Sequence, residues 1–428
     1  MRIQVEGRFA QRILMISLIA GFVLATGWIV KTYFAYRAGH TLTIDSLRLA
    51  TRLNPRDSTY HVQLGRLYQY SIESPKPAEA IQQFQEAVKV NPYDPDAWIN
   101  LAAAHEFQGD TSSAEENLRH ASTLAPNLPQ FQWTIGNYFL LHGNTQEAFR
   151  HLKVVLAGSR QYDRTVFNVA WKASGNAEQI LEELIPDHLP AEFSYLNYLI
   201  TEQRFPEAKA VWQRIAATQE TFKPQEASGY IDTLVKTGRA DAAYQVWAGL
   251  QGKGLIQPSP GGTNRNLITN GNFEDPLLNM GFDWRIRDVP GVYAGLDTAT
   301  FHSPGHSLSV QFTGKQNLNY HQVFQFVRVS PNQAYELNAF MKTQEITSDS
   351  GPRLEVVDAY DPRALDKFTP AMTGTSGGWN PLNMEFKTGP KTQLILVLLV
   401  RSPSSADDDP GITGRVWLDD VQISSAAE

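Results

Sequence analysis

The chain has 428 residues, 42% hydrophobic and 11% aromatic, which exceeds what one core usually organises and argues for two or more packed domains rather than disorder. A formal net charge of −7, a sequence pI near 5.8 and no compact Lys/Arg cluster leave no basic field for phosphates, which argues against a nucleic-acid partner. Cysteine is absent, and with it go disulfides, thiolate metal sites, cysteine nucleophiles and a lipoprotein-type anchor.

The first predicted element is apolar. "ILMISLIAGFVLATGWIV", Ile13 to Val30, is free of charge and, at about 1.5 Å per residue in a helix, covers most of a bilayer core. Arg2, Arg8 and Arg12 precede it; Trp28, Tyr33, Phe34 and Tyr36 follow or close it like an interfacial aromatic belt. Residues 1–12 read as a cytoplasmic tail and 13–34 as a single-pass transmembrane anchor, with the C-terminal bulk periplasmic or extracellular and the membrane a bacterial inner membrane. The rival reading is a cleaved signal peptide ending near "LATG".

Residues 41–250 carry a helical repeat. In "WINLAAAHEFQGDTSSAEENLRHASTLAP", Trp98, Leu101, Ala102, His105, Gly109, Ala114, Leu118, Ala121 and Pro126 set a pattern that Gln132, Ile135, Gly136, Phe139, Gly143, Ala148, Leu152 and Val155 answer 34 residues later. Upstream, Leu64, Gly65, Tyr68, Ala80, Phe84, Ala87 and Pro92 fit with a three-residue insertion near "SIESPKP"; downstream the pattern fades through "EQRFPEAKAVWQRI" and "KTGRADAAYQVWAGL". This resembles the tetratricopeptide family, and the resemblance implies helix pairs stacked into a superhelix with a groove for a protein partner. Small residues would let paired helices approach while Trp98, Leu101 and Leu118 fill the gap. Members that grip a peptide carboxylate do so with Lys, Arg and Asn; here the corresponding places offer Asn100 and Asn137 without the basic residues, so that role is not carried over. Asn100, Trp133, Asn137 and Leu140 are the candidate groove residues.

Residues 251–265, "QGKGLIQPSPGGTNR", have the composition of a linker. Beyond them "SLSVQF", "HQVFQFVRV", "AYELNAFMK", "RLEVVDAY", "NMEFKT", "QLILVLLVRS" and "RVWLDDVQI" read as strands divided by turn residues, the spacing of a β-sandwich over 266–425. The order "NLITNGNFE", "HSLSVQF", "VSPNQAYELNAFMK", "WNPLNMEFKT" and "GRVWLDDVQI" resembles the jelly-roll carbohydrate-binding modules of the fourth and ninth families, within the galactose-binding-like sandwiches. The resemblance implies glycan binding and a structural calcium ion, for which Glu274 and Asp420 match best and a carbonyl near Gly305 is a weaker candidate. Alternation places Glu336, Asn338, Phe340 and Lys342 on one side of "AYELNAFMK" as the candidate ligand face, opposite Tyr335, Leu337, Ala339 and Met341. Tyr320, Arg353, Tyr360 and Trp379 are further candidates for sugar contact. "ADDDP" around Asp407 to Asp409 reads as an exposed loop.

Catalysis finds little support. "GTSGG", Gly374 to Gly378, satisfies G-x-S-x-G without the strand-turn-helix that such a nucleophile needs, and Pro304 and Gly305 forbid the helix that would bring His302 and His306 onto one metal. The expected class is multidomain: a transmembrane helix, an all-α repeat superhelix and an all-β jelly-roll sandwich. The expected role is a non-enzymatic envelope scaffold, accessory to polysaccharide assembly or export. The alternatives are a glycan-processing enzyme and a structural protein whose sandwich only packs on the repeats.

Overall fold

The computed structural model describes residues 8–71, 75–257, 266–314, 316–406 and 411–426; Arg2, the linker residues 258–265 and Asp407 to Asp409 lie outside them. Contact density divides the chain into two units, Met1–Ala191 and Glu192–Glu428.

The first unit opens with α1 (Arg8–Gly39), of which Gln11–Gly39 is long and apolar enough to cross a membrane. Its far end is folded into the protein: Ala35 packs with Ala50 and Tyr60, and Gly39 lies against the Tyr60 ring where a side chain would collide. Helices α2 (Ile44–Leu53), α3 (Ser58–Gln69), α4 (Pro77–Val90), α5 (Pro95–Phe107), α6 (Thr111–Leu124), α7 (Pro129–Leu141), α8 (Thr145–Gly158) and α9 (Asp163–Ser174) follow, then a short α10 (Ala177–Gln179) that runs into a π-turn. Helices α5 and α7 both start on a proline, α6 and α8 both on a threonine behind an Asp or Asn cap, and each pair is offset by the 34 residues of the repeat. Proline fits the first helical turn, where its missing N–H has no partner to lose, and the capping oxygens of Asp110 and Asn144 accept from Ser113 and Glu147 N–H. Gly109 and Gly143 close the intervening turns at φ 80° and 72°, a conformation that costs a side chain energy.

Packing follows the repeat register with two departures. Gly65 gives its space to the Phe84 ring, 2.6 Å from where a Cβ would stand, and Gly136 to Leu152 at 2.9 Å. Trp98, expected to fill the gap between helices, packs against the apolar clusters on both sides of it but stays half-buried: its N–H donates to Pro92 O at 2.9 Å and its ring lies 4.2 Å from His120, whereas Phe84 is fully enclosed. The equivalent position one repeat later is Gln132, whose amide is 1% exposed and bridges Ala125 O and His151 Nδ1. His151 is equally enclosed and stacks on Phe139.

The second unit joins α11 (Leu189–Thr201, most of it), α12 (Phe205–Ala217), α13 (Ser228–Lys236) and α14 (Ala240–Gly252) to ten strands. These are β1 (Arg285–Ile286), β2 (Val292–Asp297), β3 (Ser307–Thr313), β4 (Tyr320–Arg328), β5 (Ala334–Gln344), β6 (Arg353–Asp358), β7 (Asp366–Phe368), β8 (Asn380–Lys387), β9 (Leu394–Arg401) and β10 (Thr413–Ser425). They form two antiparallel sheets, β1-β4-β9-β6-β7 and β2-β3-β10-β5-β8, closed over one core that includes Phe273, Trp284, Leu337, Val397 and Leu418. The first residues of the sandwich run beside β10, with Leu267 N–H donating to Ile423 O and Val421 N–H to Gly271 O.

The division at Ala191 groups the last helices with the sandwich, and the reason is physical. Gly281, at φ 56°, brings the backbone onto the Trp247 ring of α14, and Phe282 packs against Tyr244 and Trp247. Around this apolar contact Arg285 pairs with Asp232 at 2.6 Å, Arg328 with Asp241 at 2.7 Å, and the Tyr360 hydroxyl donates to Val235 O at 2.8 Å. The last helices and the β1-β4 side of the sandwich therefore share one packed seam.

Burial of His151, reinforced by Arg150 beside it, pushes its pKa down to about 4. Because the unfolded imidazole takes its proton near 6.5, folding stability is complete above that pH and falls as pH drops toward 4, by about 3 kcal/mol in all. Burial raises the Asp283 carboxyl to about 6, which carries the opposite sign: its contribution is greatest in acid and is lost as pH rises through 6. Urea melts between pH 7 and 4.5 should show a stability loss in the first unit that His151→Phe removes; a first-unit transition indifferent to pH in the native protein would contradict the buried neutral imidazole.

Candidate functional site

Alternation decides what the second sheet shows to solvent. Leu337, Ala339 and Met341 enter the core, so Glu336, Asn338, Phe340 and Lys342 of β5 point outward, the phase read from the sequence. On the neighbouring strands the outward residues opposite them are Glu385, Asn383 and Pro381 of β8 and Ser424, Gln422, Asp419 and Trp417 of β10. The face thus has an amide row, Gln422–Asn338–Asn383, beside an apolar step at Phe340 and Pro381.

Over Phe340 lies the loop 301–306. The His302 imidazole stacks on the Phe340 ring at 3.6 Å and 13°, and meets Trp379 edge-on at 5.8 Å; Trp379 N–H donates to Phe301 O at 3.1 Å. Phe340 is therefore not a bare platform: His302 already occupies its outer side. The loop is held by acids from β10 and from the segment that precedes β1. Asp419, fully buried, accepts from the N–H groups of His302, Ser303 and Asp420, and its burial raises its pKa against the effect of those donors. Asp420, at φ 49° where the β10 register shifts, turns outward and accepts from His302 Nδ1 at 2.6 Å. Glu274 accepts from His306 N–H at 3.0 Å and faces His306 Nδ1 at 3.3 Å, and its carboxylate fills the space at Gly305.

Glu274 and Asp420 are thus taken up by two different histidines. Among the described residues no group of three or more acidic or imidazole side chains is placed to hold a metal ion. The two histidines, four apart in sequence and unsuited to one metal, pin the loop instead.

Other sequence candidates fall elsewhere. Tyr320 is 1% exposed and packs edge-on against Phe312, so it offers no surface to a sugar; its hydroxyl is pushed above its ordinary range by burial. Arg353 and Tyr360 belong to the opposite sheet and its edge: Arg353 lies over the Phe368 ring at 4.3 Å, and Tyr360 is engaged in the seam with α13. In the repeats, Asn100 is buried and committed, accepting from Arg66 Nε while Arg66 also grips Asp96, so it is not a free groove donor. Trp133, Asn137 and Leu140 are half-buried on α7, with Trp133 stacked on Tyr162 at 5.7 Å. Ser376 of "GTSGG" donates to Gly378 O and accepts from Thr343 N–H, which closes a loop onto β5.

Three residues of the face were not singled out in the sequence. Arg415 and Trp417 share it with Asp419, and Tyr293 of β2 stands 71% exposed at its edge. The alternation of "RVWLDD" carried the signal for the first two. Tyr293 had none, because "VYAGLD" does not alternate in polarity.

Residues 72–132 match the model of the tetratricopeptide repeat family. No curated protein matches the chain in sequence. Among solved structures, a carbohydrate-binding module of the fourth family is similar at 12% identity over 37% of this chain and 99% of its own, with a TM-score of 0.26. A family-22 xylan-binding domain from Paenibacillus barcinonensis is similar at 17% identity over 36% and 98%, with a TM-score of 0.27, and the MamA protein at 13% identity over 46% and 98%, with a TM-score of 0.30. The family match thus lies within the helical repeat region, which is followed by a two-sheet antiparallel β-sandwich.

Proposed function

We propose that this is a membrane-anchored, non-enzymatic scaffold of the bacterial envelope, whose repeats hold a protein partner and whose sandwich binds glycan, in the service of polysaccharide assembly or export. The observation that carries the glycan reading is the outward face of β2-β3-β10-β5-β8: an amide row beside an aromatic step, on the sheet that the helical seam leaves free. Amides serve sugar hydroxyls and aromatic faces serve the C–H side of a sugar ring. His302 supplies the uppermost ring and Phe340 supports it from below.

The test is a glycan panel with the full chain, run beside thermal melts. Asn338→Ala should weaken the best ligand about tenfold, which is about 1.4 kcal/mol, with little change in melting temperature because its side chain faces outward, whereas Phe340→Ala should weaken it likewise and also lower the melting temperature, because His302 loses the ring it stacks on. No retained glycan from the panel would remove the binding role from the sandwich. The seam favours one further reading, in which the sandwich serves only to pack on the helices; it gains if the panel is silent.

The location rests on the Gln11–Gly39 helix and on the basic residues that precede it. With the N-terminus cytoplasmic, protease added to intact spheroplasts should digest the repeats and sandwich. Complete protection would reverse the orientation.

A structural calcium ion shared by Glu274 and Asp420 is a separate proposal, in competition with the histidine arrangement, since it would release both His302 and His306. Binding to the folded form alone would add RT ln(1 + [Ca]/Kd) to stability. A higher melting temperature in calcium than in chelator, abolished in the double variant Glu274→Ala, Asp420→Ala, supports the ion. Equal melting temperatures leave the histidines as the pins of the loop.

A further inference from the structure

The outward face is uneven in charge. At one end Glu336 stands directly opposite Glu385 across β5 and β8, with the exposed Lys387 next along β8; the middle is the neutral amide row; at the other end Lys342 and Arg415 flank Trp417. We infer that the Lys342–Arg415 end takes the negative group of an anionic glycan, a carboxylate or a sulfate on the sugar. The inference rests on the glycan-binding reading above and narrows it to a substrate class.

Trp417 is only 4% exposed, so its ring is a support for the cations and not a platform for sugar. Lys342 Nζ and Arg415 Cζ lie 5.7 Å and 5.6 Å from the indole centroid, within the range of cation–π attraction. The indole plane is itself fixed, because its N–H donates to Asp297 Oδ2 at 2.8 Å. Two long, flexible side chains are thereby held in place before any ligand arrives, which lowers the entropy lost on binding.

The local charges do not cancel. Asp297 is committed to the indole N–H and lies 3.8 Å from Arg415, whose other nitrogen donates to Gln311 at 2.6 Å. Among the described residues Lys342 has no carboxylate within ion-pair distance. Of the two cations, Lys342 is the one left without a negatively charged acceptor. There is also room for it: across the register from Trp417 lie Ser309 and then Gly295, where an added Cβ would meet nothing within 4 Å, and Tyr293 stands at the rim.

The probes are two matched pairs, polygalacturonate with its methyl ester and dextran sulfate with dextran, titrated against the full chain in detergent micelles. The expected result is at least about tenfold tighter binding of the charged member of a pair at low salt, a difference that added salt shrinks. Lys342→Gln with Arg415→Gln should bring that pair to parity while leaving the melting temperature near that of the native chain. Binding of charged and neutral members alike overturns the anionic class and leaves the glycan reading standing. A preference that survives in the double variant overturns the assignment to these two cations. Failure of the native chain to bind any of the four, while the wider glycan panel finds a neutral ligand, overturns the inference alone; silence in both overturns the glycan reading with it.

Discussion

The contact of Gly281 and Phe282 with Trp247 is the constraint on which the second unit depends. A sandwich has two outer faces, and each must meet water or another surface. Here the β1-β4 side meets α13 and α14, and the ion pairs Arg285–Asp232 and Arg328–Asp241 stand around that apolar point. Arg285 is almost fully buried, so losing Asp232 would leave a guanidinium short of water and of a partner. Arg328 and Asp241 are half-exposed, and their pairing contributes orientation more than energy. Through this seam one sheet is given to structure and the other is left to recognition.

The same sheet explains an oddity of composition. "LILVLLVR" of β9 is apolar on both sides, which is the mark of a strand buried twice. Ile395, Val397 and Leu399 enter the core of the sandwich. Leu396, Leu398 and Val400 form a second cluster on the outer side with Phe324, Phe326 and Val357, and the guanidinium groups of Arg287 and Arg285 each lie 5.2 Å over one of its rings. By contrast β5 and β8 alternate cleanly, and theirs is the sheet whose outer face is polar.

The repeats show how a spacing can outlast its residues. Where one repeat has Trp98, the next has Gln132, and the apolar contact is replaced by a buried pair with His151. The pair is tolerated because each of its polar atoms finds a partner: Gln132 donates to Ala125 O, and Arg150 approaches His151 Nε2. Arg66 joins Asn100 across the same 34-residue step, and Asp96 one helical turn before it. Polar residues in these units hold neighbours together, which is why Asn100 looked like a groove donor and is not one.

What the sequence by itself determined was local and periodic. The 34-residue offset, the proline starts, the glycine turns and the strand alternation each follow from one residue's effect on its own backbone or on positions three, four or two away, and these set the helices, the two sheets and the outward phase of Phe340. The tertiary structure alone decided which surfaces met. That Tyr320 enters the core, that Tyr360 hooks onto α13, that His302 covers Phe340, and that Arg415 and Lys342 converge on Trp417 all depend on residues tens of positions or more apart in the chain. No periodicity encodes such meetings, because each is settled by the packing of whole elements against one another.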